Sequence, residues 1–141
     1  MIEYICAEQR DLPLLFQLNR QLIDTYEDTS TIDYGNVLLW VQQNLASHLE
    51  EFRRILFHGQ LAGFYCLSGG ELDSFFVLPE YQGMGIGTEV LKRCQRLSPS
   101  LSLYVFRRNH RAIALYSRMG FHVTKEVSKS RFIMEWKNQD P

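Results

Sequence analysis

The sequence predicts an α/β (α+β) fold in which one mixed sheet is flanked by helices. Two observations support this class: an ordinary apolar content of 45%, and hydrophobic patterns that switch between the periods of strands and helices. The segments follow the order β-α-α-β-β-β-α-β-α-β-β, with six to seven strands and about four helices. A mixed sheet covered by helices is the economical way to bury such a set. With 141 residues and no linker-like stretch, residues 1–141 are expected to form a single domain.

The N-terminal third predicts one strand and two helices. A strand over residues 1–7 is followed by a helix that Asp11 would cap, with Pro13 in its first turn, where a missing N–H costs nothing. Leucines at helical spacing continue this helix to about Asp24. The polar, acidic residues 25–35 predict a loop, and a second helix is expected over residues 36–49.

The remaining two thirds alternate short strands with two helices. Pro79 would stop the strand before it, and Asn109 would cap the last helix, which Gly120 ends. The first of the two helices has an apolar stripe expected to be buried, made of Ile86, Val90, Leu91, Cys94 and Leu97. The predicted strands are 52–57, 61–67, 72–78, 101–106, 121–125 and 131–136.

Composition argues against several functional classes. A net charge of −1 does not favour nucleic-acid binding. The longest apolar run, residues 37–41, is too short to span a membrane, and no secretory signal is visible, so a cytoplasmic location is expected. Three dispersed cysteines and four histidines without ligand spacing predict neither a disulfide framework nor a metal site.

The informative segment runs from Val77 to Thr88, where a strand ends and a loop with three alternate glycines opens into a helix. Glycines allow close approach of a ligand to the main chain, and the first N–H groups of a helix lack internal partners. Such a loop suits a phosphate group. The glycine spacing fits neither the dinucleotide fingerprint nor a P-loop, and taken alone it also fits a plain tight turn.

This segment resembles the signature of the GNAT superfamily, the acetyl-CoA-dependent N-acetyltransferases. The signature Gln/Arg-x-x-Gly-x-Gly/Ala reads here Gln82-Gly83-Met84-Gly85-Ile86-Gly87, preceded by Val77-Leu78-Pro79. A second family block, Asn-x-x-Ala-x-x-x-Tyr-x-x-x-Gly-Phe, is matched by Asn109, Ala112, Tyr116, Gly120 and Phe121. The resemblance implies the GNAT fold, with a mostly antiparallel sheet, and acetyl-CoA (coenzyme A) as cosubstrate without a metal.

The resemblance also implies cofactor-binding residues. The amides of the glycine loop would hold the pyrophosphate, and the strand before it would hold the pantetheine arm through its main chain. An N–H near Val77 would polarise the thioester carbonyl. Arg107, Arg108 and Arg111 could meet the phosphates or form a solvated basic face. The implied contact residues are Phe75, Phe76, Val77, Gln82, Gly83, Met84, Gly85, Ile86, Gly87, Thr88, Asn109, Ala112 and Tyr116.

Two catalytic roles follow from the same resemblance. Tyr116 resembles the family's general acid, which protonates the departing thiolate; unperturbed tyrosine and thiol pKa values differ by roughly 1.5 units. Packing alone would also explain its position. The general base is expected to be Glu71, with Asp73 or an ordered water as alternatives. Strand alternation places Glu71 and Asp73 on one face with Phe75 and Val77.

The expected reaction is direct transfer of an acetyl group to a primary amine of a small molecule or peptide. The acidic residues Asp24, Glu27, Asp28 and Asp33 suggest a cationic acceptor, although a solvated acidic loop explains them equally well. Trp40, Tyr26 and Tyr34 could form apolar walls. Alternative functions are a non-catalytic acyl-CoA-binding module or sensor, and a protein lysine or N-terminal acetyltransferase. A homodimer is possible, and the acyl group could be longer than acetyl.

Overall fold

The computed structural model describes residues 1–139 and contains seven strands and four helices in the predicted order. Within these residues, none of the helices combines the length and apolar character needed to cross a membrane. The strands are β1 (Ile2–Cys6), β2 (Phe52–Phe57), β3 (Gln60–Ser68), β4 (Glu71–Val77), β5 (Ser100–Phe106), β6 (His122–Glu126) and β7 (Arg131–Lys137). The helices are α1 (Leu12–Tyr26), α2 (Tyr34–His48), α3 (Ile86–Leu97) and α4 (His110–Arg118).

One sheet contains all seven strands, in the order β1-β2-β3-β4-β5-β7-β6. Every neighbouring pair is antiparallel except β4 and β5, which are parallel. The antiparallel pairs follow hairpins or short returns, whereas the parallel pair needs the crossover through α3. The predicted mixed, mostly antiparallel sheet is confirmed.

Two hydrophobic clusters cover the two faces of the sheet. The apolar stripe of α3 packs against one face together with Leu101, Leu103 and Met134. Residues of α1 and α2, among them Leu15 and Val41, pack against the other. Full burial of a large apolar side chain stabilises a fold by about 1.5–3 kcal/mol, so these stripes position the helices. Leu97 was expected in the α3 stripe but is 58% exposed, because it is the last residue of the helix.

The two predicted helix caps differ in outcome. The Asn109 side chain accepts a hydrogen bond from Ala112 N (3.2 Å), as predicted for α4. Asp11 was predicted to cap α1, and this is wrong: its carboxylate accepts a bond from Glu8 N (2.8 Å) and pairs with Arg54 (3.4 Å). Asp11 is only 5% exposed, and a buried charge needs a partner of opposite sign, which Arg54 of β2 provides. This ion pair links the start of α1 to β2.

Element boundaries moved by a few residues. α1 extends to Tyr26, and α2 begins at Tyr34, where Asp33 caps it by accepting from Asn36 N (3.3 Å). Phe121, expected to open a strand, lies before β6 instead. Its N–H donates to Tyr116 O (3.0 Å) and its side chain is buried. Gly120, with φ of +90°, makes the turn that ends α4 as predicted.

Candidate active site

The sheet opens between its two parallel strands. β4 and β5 share a single register pair, Glu71 with Ser102, next to a bond from Ser102 N to Gly70 O (2.9 Å). Beyond that pair no register with β5 continues, so the β4 main chain from Asp73 to Val77 has a free edge there. This edge offers hydrogen-bonding groups to an extended ligand.

A bulge in β4 changes which side chains share a face. Cys66 of β3 faces Ser74, but its neighbour Leu67 faces Leu72, so Asp73 is the extra residue. The predicted common face of Glu71, Asp73, Phe75 and Val77 is therefore wrong. Leu72 is the residue that packs in the same cluster as Phe75 and Val77. A bulge shifts the period-two alternation by one residue, which strand patterning alone does not reveal.

The loop between β4 and α3 presents free main-chain donors. Among residues 1–139, no protein acceptor is found for any main-chain N–H from Gly83 to Thr88. Gly83 and Gly85 both have φ of +81°, a conformation that side chains disfavour, and α3 begins directly afterwards. The Gln82 side chain donates to Val77 O (2.9 Å) and ties the loop to the end of β4. Free amides and the helix dipole favour an anion here.

A cavity of about 610 Å³ lies against this loop and the free edge of β4; we term it the cofactor-side cavity. Arg111 and Arg118 also line it, two helical turns apart on one face of α4, and add positive charge. Arg118 was missed, although its spacing from Arg111 would have shown the shared face. Nearly all predicted cofactor residues line this cavity: Phe75, Phe76, Val77, Gln82, Gly83, Gly85, Ile86, Gly87, Thr88, Asn109, Ala112 and Tyr116.

Met84 is the exception among the predicted cofactor residues. It is absent from the cavity wall, and its side chain is exposed. A Cβ added at Gly87 would lie 3.2 Å from Leu115 Cδ2, a tight contact that would require the leucine side chain to shift by a few tenths of an ångström. Arg107, considered for the phosphates, instead pairs with Glu126.

Tyr116 lies where the cofactor-side cavity meets a second one. The second, the acceptor-side cavity, measures about 560 Å³ and shares Phe75, Phe76 and Tyr116 with the first. The Tyr116 ring packs against Phe121, with ring centres 5.7 Å apart. No hydrogen-bond partner for its hydroxyl is found in the described part of the chain. Burial raises the pKa of Tyr116 above its ordinary value, because the ionised form would lose its solvation there.

The acceptor-side cavity holds charges of both signs. Glu71 and Asp73 line it from β4, and Arg131 lines it from the first residue of β7. Trp40 and Tyr104 supply exposed aromatic surface at its wall. Arg131 was missed by sequence reasoning, because its place opposite Phe106 is defined only by the register between β5 and β7.

The acidic loop lies apart from both large cavities. None of Asp24, Glu27, Asp28 and Asp33 belongs to either wall. Asp28 and Asp33 accept bonds from local main-chain N–H groups, and Asp24 accepts from the Tyr34 hydroxyl (2.5 Å). These contacts give the loop carboxylates local structural roles. Of the three aromatic residues proposed as walls, Trp40 lines the acceptor-side cavity and Tyr26 the cofactor-side cavity.

Residues 1–139 contain no group of three or more His, Cys, Asp or Glu side chains that could hold a metal ion. The polar features of the site include the loop amides, Arg111 and Arg118, Tyr116 and the charges at the acceptor-side cavity. The chain is thus an α/β protein whose sheet opens between parallel strands, with amides left unpaired by the described residues at a helix start on one side and a carboxylate-lined cavity on the other.

Comparison with protein families shows which family the chain belongs to. The model of the acetyltransferase (GNAT) family matches residues 19–121, and the chain belongs to this family. Members of the family are acyltransferases, and the matched range contains both motifs and most of the residues around the two cavities. The sequence-based assignment is confirmed.

Similar curated proteins match over part of their length. The peptidyl-lysine N-acetyltransferase YjaB of Salmonella typhimurium is 37% identical over 62 residues, covering 44% of this chain and 43% of the relative. The spermine/spermidine N(1)-acetyltransferase of Bacillus subtilis is 36% identical over 66 residues, covering 40% and 41%. The chain thus spans less than half the length of these relatives.

Similarity in structure extends over the whole fold. The PaiA N-acetyltransferase of Thermoplasma acidophilum, solved in complex with coenzyme A, superposes with a TM-score of 0.70 at 22% sequence identity. The superposition covers 97% of this chain and 99% of that protein. The shared architecture confirms the predicted fold.

Proposed function

We propose that the chain is an N-acetyltransferase that moves an acetyl group from acetyl-CoA directly to a primary amine of a small molecule or peptide. The observation that supports this proposal is the meeting of the two cavities at Tyr116 and the free edge of β4. One cavity ends at free amides suited to a pyrophosphate, and the other ends at carboxylates suited to an amine. Direct transfer requires such a meeting point, because both reactants must be held in contact.

The chain's own groups fit coenzyme A. Loop amides from Gly83 to Thr88 would bind the diphosphate, with Arg111 and Arg118 near the remaining negative charge. The main chain of Phe75, Phe76 and Val77 would bind the amide-containing arm as an added strand does. When bound, acetyl-CoA supplies an acetyl group activated as a thioester.

Tyr116 and a base on β4 would manage the protons. The amine nitrogen forms a bond to the acetyl carbon as the carbon–sulfur bond breaks. Glu71 is the proposed base that takes the proton from the nitrogen, with Asp73 or a water as the alternatives. The Tyr116 hydroxyl donates a proton to the departing sulfur, so the products are an amide and a free thiol.

The names of the relatives agree with a primary amine as acceptor. They describe peptidyl-lysine and spermine or spermidine, two chemically different amines. The structure itself supports an amine through Glu71 and Asp73, which line the acceptor-side cavity and form no ion pair with any described residue. A partner of this chemistry is therefore proposed for the chain.

Calorimetry with acetyl-CoA, followed by mass spectrometry of an amine panel, tests the proposal. We expect acetyl-CoA to bind and at least one primary amine to gain an acetyl group. Tight binding without consumption by any amine in a broad panel would favour the non-catalytic sensor. Absence of binding would overturn the proposal altogether.

A further inference from the structure

One basic side chain at the acceptor-side cavity has no anionic partner. Arg131 places its guanidinium carbon 4.7 Å from the centre of the Phe106 ring, and both residues line the cavity. Its Nε is shielded from solvent and has no hydrogen-bond partner among residues 1–139. Its guanidinium makes no ion pair with a described carboxylate.

Arg107 is stacked in a similar way, and its Nε is likewise shielded and without a hydrogen-bond partner among the described residues, but its charge is paired. Its guanidinium lies over Phe132, 4.8 Å from the ring centre, in the same arrangement. Arg107, however, pairs with Glu126 and lines neither large cavity. Arg131 therefore combines a fixed orientation on Phe106 with a free charge that faces a ligand-sized space.

The cavity also separates its charges. Glu71 and Asp73 line it from β4, and neither forms an ion pair with Arg131. A ligand with one positive and one negative group would satisfy both sides, whereas a purely cationic amine would leave Arg131 unpaired. Glu71 and Arg131 are half-buried, and Arg131 Nε is shielded without a partner in the described part of the chain. A site built for a polar group discriminates strongly against ligands that lack it.

We propose that the acceptor is an amine that also carries a carboxylate, and that Arg131 binds this carboxylate while the amine reaches the meeting point at Tyr116. This inference rests on the proposed acetyltransferase function and narrows its substrate class. The planar guanidinium binds a carboxylate through two parallel hydrogen bonds, and its stack on Phe106 holds it in place for that contact. Arg131 is then a specificity-determining residue.

Matched pairs of amines that differ only in the carboxylate test this proposal. The pairs are free amino acids against their amides, and lysine against cadaverine. We expect kcat/KM to favour the carboxylate member at least tenfold. Peptides with glutamate or glutamine beside an acceptor lysine form a second arm, which separates a free amino acid from an acidic peptide as the source of the carboxylate.

The variant Arg131→Gln should reduce each preference to within two- to threefold, with little change in kcat/KM for the amide members. Arg131→Lys should restore part of the preference. The matched control is Arg107→Gln, which loses the same charge from a similar stack outside the cavity and should keep the full preference. The Kd for acetyl-CoA and the melting temperature of each variant are compared with the wild type to check that the fold is intact.

A binding measurement separates this inference from the proposed function. Trp40 lines the acceptor-side cavity, so its fluorescence should respond to amino acids without acetyl-CoA, and less so in Arg131→Gln. If no amine is acetylated but this response is found, the transferase proposal fails and the carboxylate site stands. Equal kcat/KM within the wild-type pairs, or a preference that survives Arg131→Gln, would overturn the assignment of Arg131.

Discussion

The chemistry at the residue scale depends most on Tyr116. It is 8% exposed and lines both cavities, and burial raises its pKa above the ordinary tyrosine value. Because the pKa is raised, the hydroxyl stays largely protonated at pH 10, where a free tyrosine is about half ionised. The raised pKa keeps the proton on the hydroxyl but makes it a weaker acid, so the proposed acid role rests on the position of Tyr116 at both cavities and not on the pKa shift.

We predict that Tyr116→Phe lowers kcat by roughly 10²-fold, which is the lower end of what general acid catalysis contributes. The Kd for acetyl-CoA should stay within a factor of about three. Binding is spared because the loop amides and β4 main chain are untouched. Steady-state kinetics and calorimetry measure the two quantities. Tyr4→Phe, at a tyrosine that lines neither cavity, is the control and should stay near wild type. A fully active Tyr116→Phe would remove Tyr116 from the acid role.

Single residues were predictable from sequence where a motif names them. Asn109 caps α4, and the glycine loop and Tyr116 line one cavity, because these positions belong to two linked motifs. Arg131 was not predictable. Its importance depends on which partner strand β7 selects and on the absence of a carboxylate beside it, and both are properties of the folded chain.

The element scale is governed by how β3 and β4 fit together. Gly63 of β3 faces Val77, and a Cβ added at Gly63 would lie 1.9 Å from the carbonyl oxygen of Phe76. That distance is far below any real contact, so the β4 main chain approaches closely only because residue 63 lacks a side chain. The approach positions the stretch of β4 proposed to bind the cofactor arm.

We predict that Gly63→Ala lowers the free energy of unfolding by about 1–3 kcal/mol, the usual range for overpacking. It should also weaken acetyl-CoA binding, because the β4 main chain must move. Denaturant titration and calorimetry measure both effects. Gly35→Ala in α2 is the control: its nearest neighbour would be 4.0 Å from the new Cβ, so the change should be neutral or stabilising by up to about 1 kcal/mol. Unchanged stability and binding in Gly63→Ala would contradict this account of β4.

The order of elements could be predicted because hydrophobic period and turn residues are local signals. Two details of β4 were not predicted from the sequence. The bulge at Asp73 depends on pairing with β3, and the separation from β5 depends on the tertiary arrangement around the opening. The same limit explains Asp11, whose carboxylate forms an ion pair with Arg54 across the fold and makes no side-chain cap to α1.

The whole molecule brings together chain segments that are distant in sequence. Glu71 and Asp73 come from β4, Tyr116 from α4 and Arg131 from β7, yet the same cavity contacts all four. The sequence shows the acidic stretch around Asp28 more plainly than these dispersed charges. The acidic stretch lies outside both cavities, so the charges that folding collects at the acceptor-side cavity, and not this stretch, support the proposal about the acceptor.

The folded chain as a whole also controls its three thiols, and this gives a prediction that needs no substrate. Cys6 is exposed, whereas Cys66 and Cys94 are buried, which raises their pKa values to about 12 and about 11. A thiol reagent at pH 8 should modify one cysteine per native chain and three after unfolding. Cys6→Ser should leave none reactive in the native chain. Rapid labelling of more than one thiol in the native wild type would contradict the buried placement.

The free energy of unfolding should fall at alkaline pH, because burial raises the pKa values of two thiols in the folded chain. The folded pKa values of Cys66 and Cys94 lie above 9.0, the ordinary pKa of a thiol, so the unfolded chain loses these protons first as pH rises. Both thiols are protonated in both states below about pH 8, and stability does not depend on them there. Between pH 9 and 10 the free energy of unfolding should fall by about 1 kcal/mol per buried thiol. Urea titrations should show this slope roughly halved in Cys94→Ala and unchanged in Cys6→Ser; an equal slope in Cys94→Ala and the wild type would contradict the linkage.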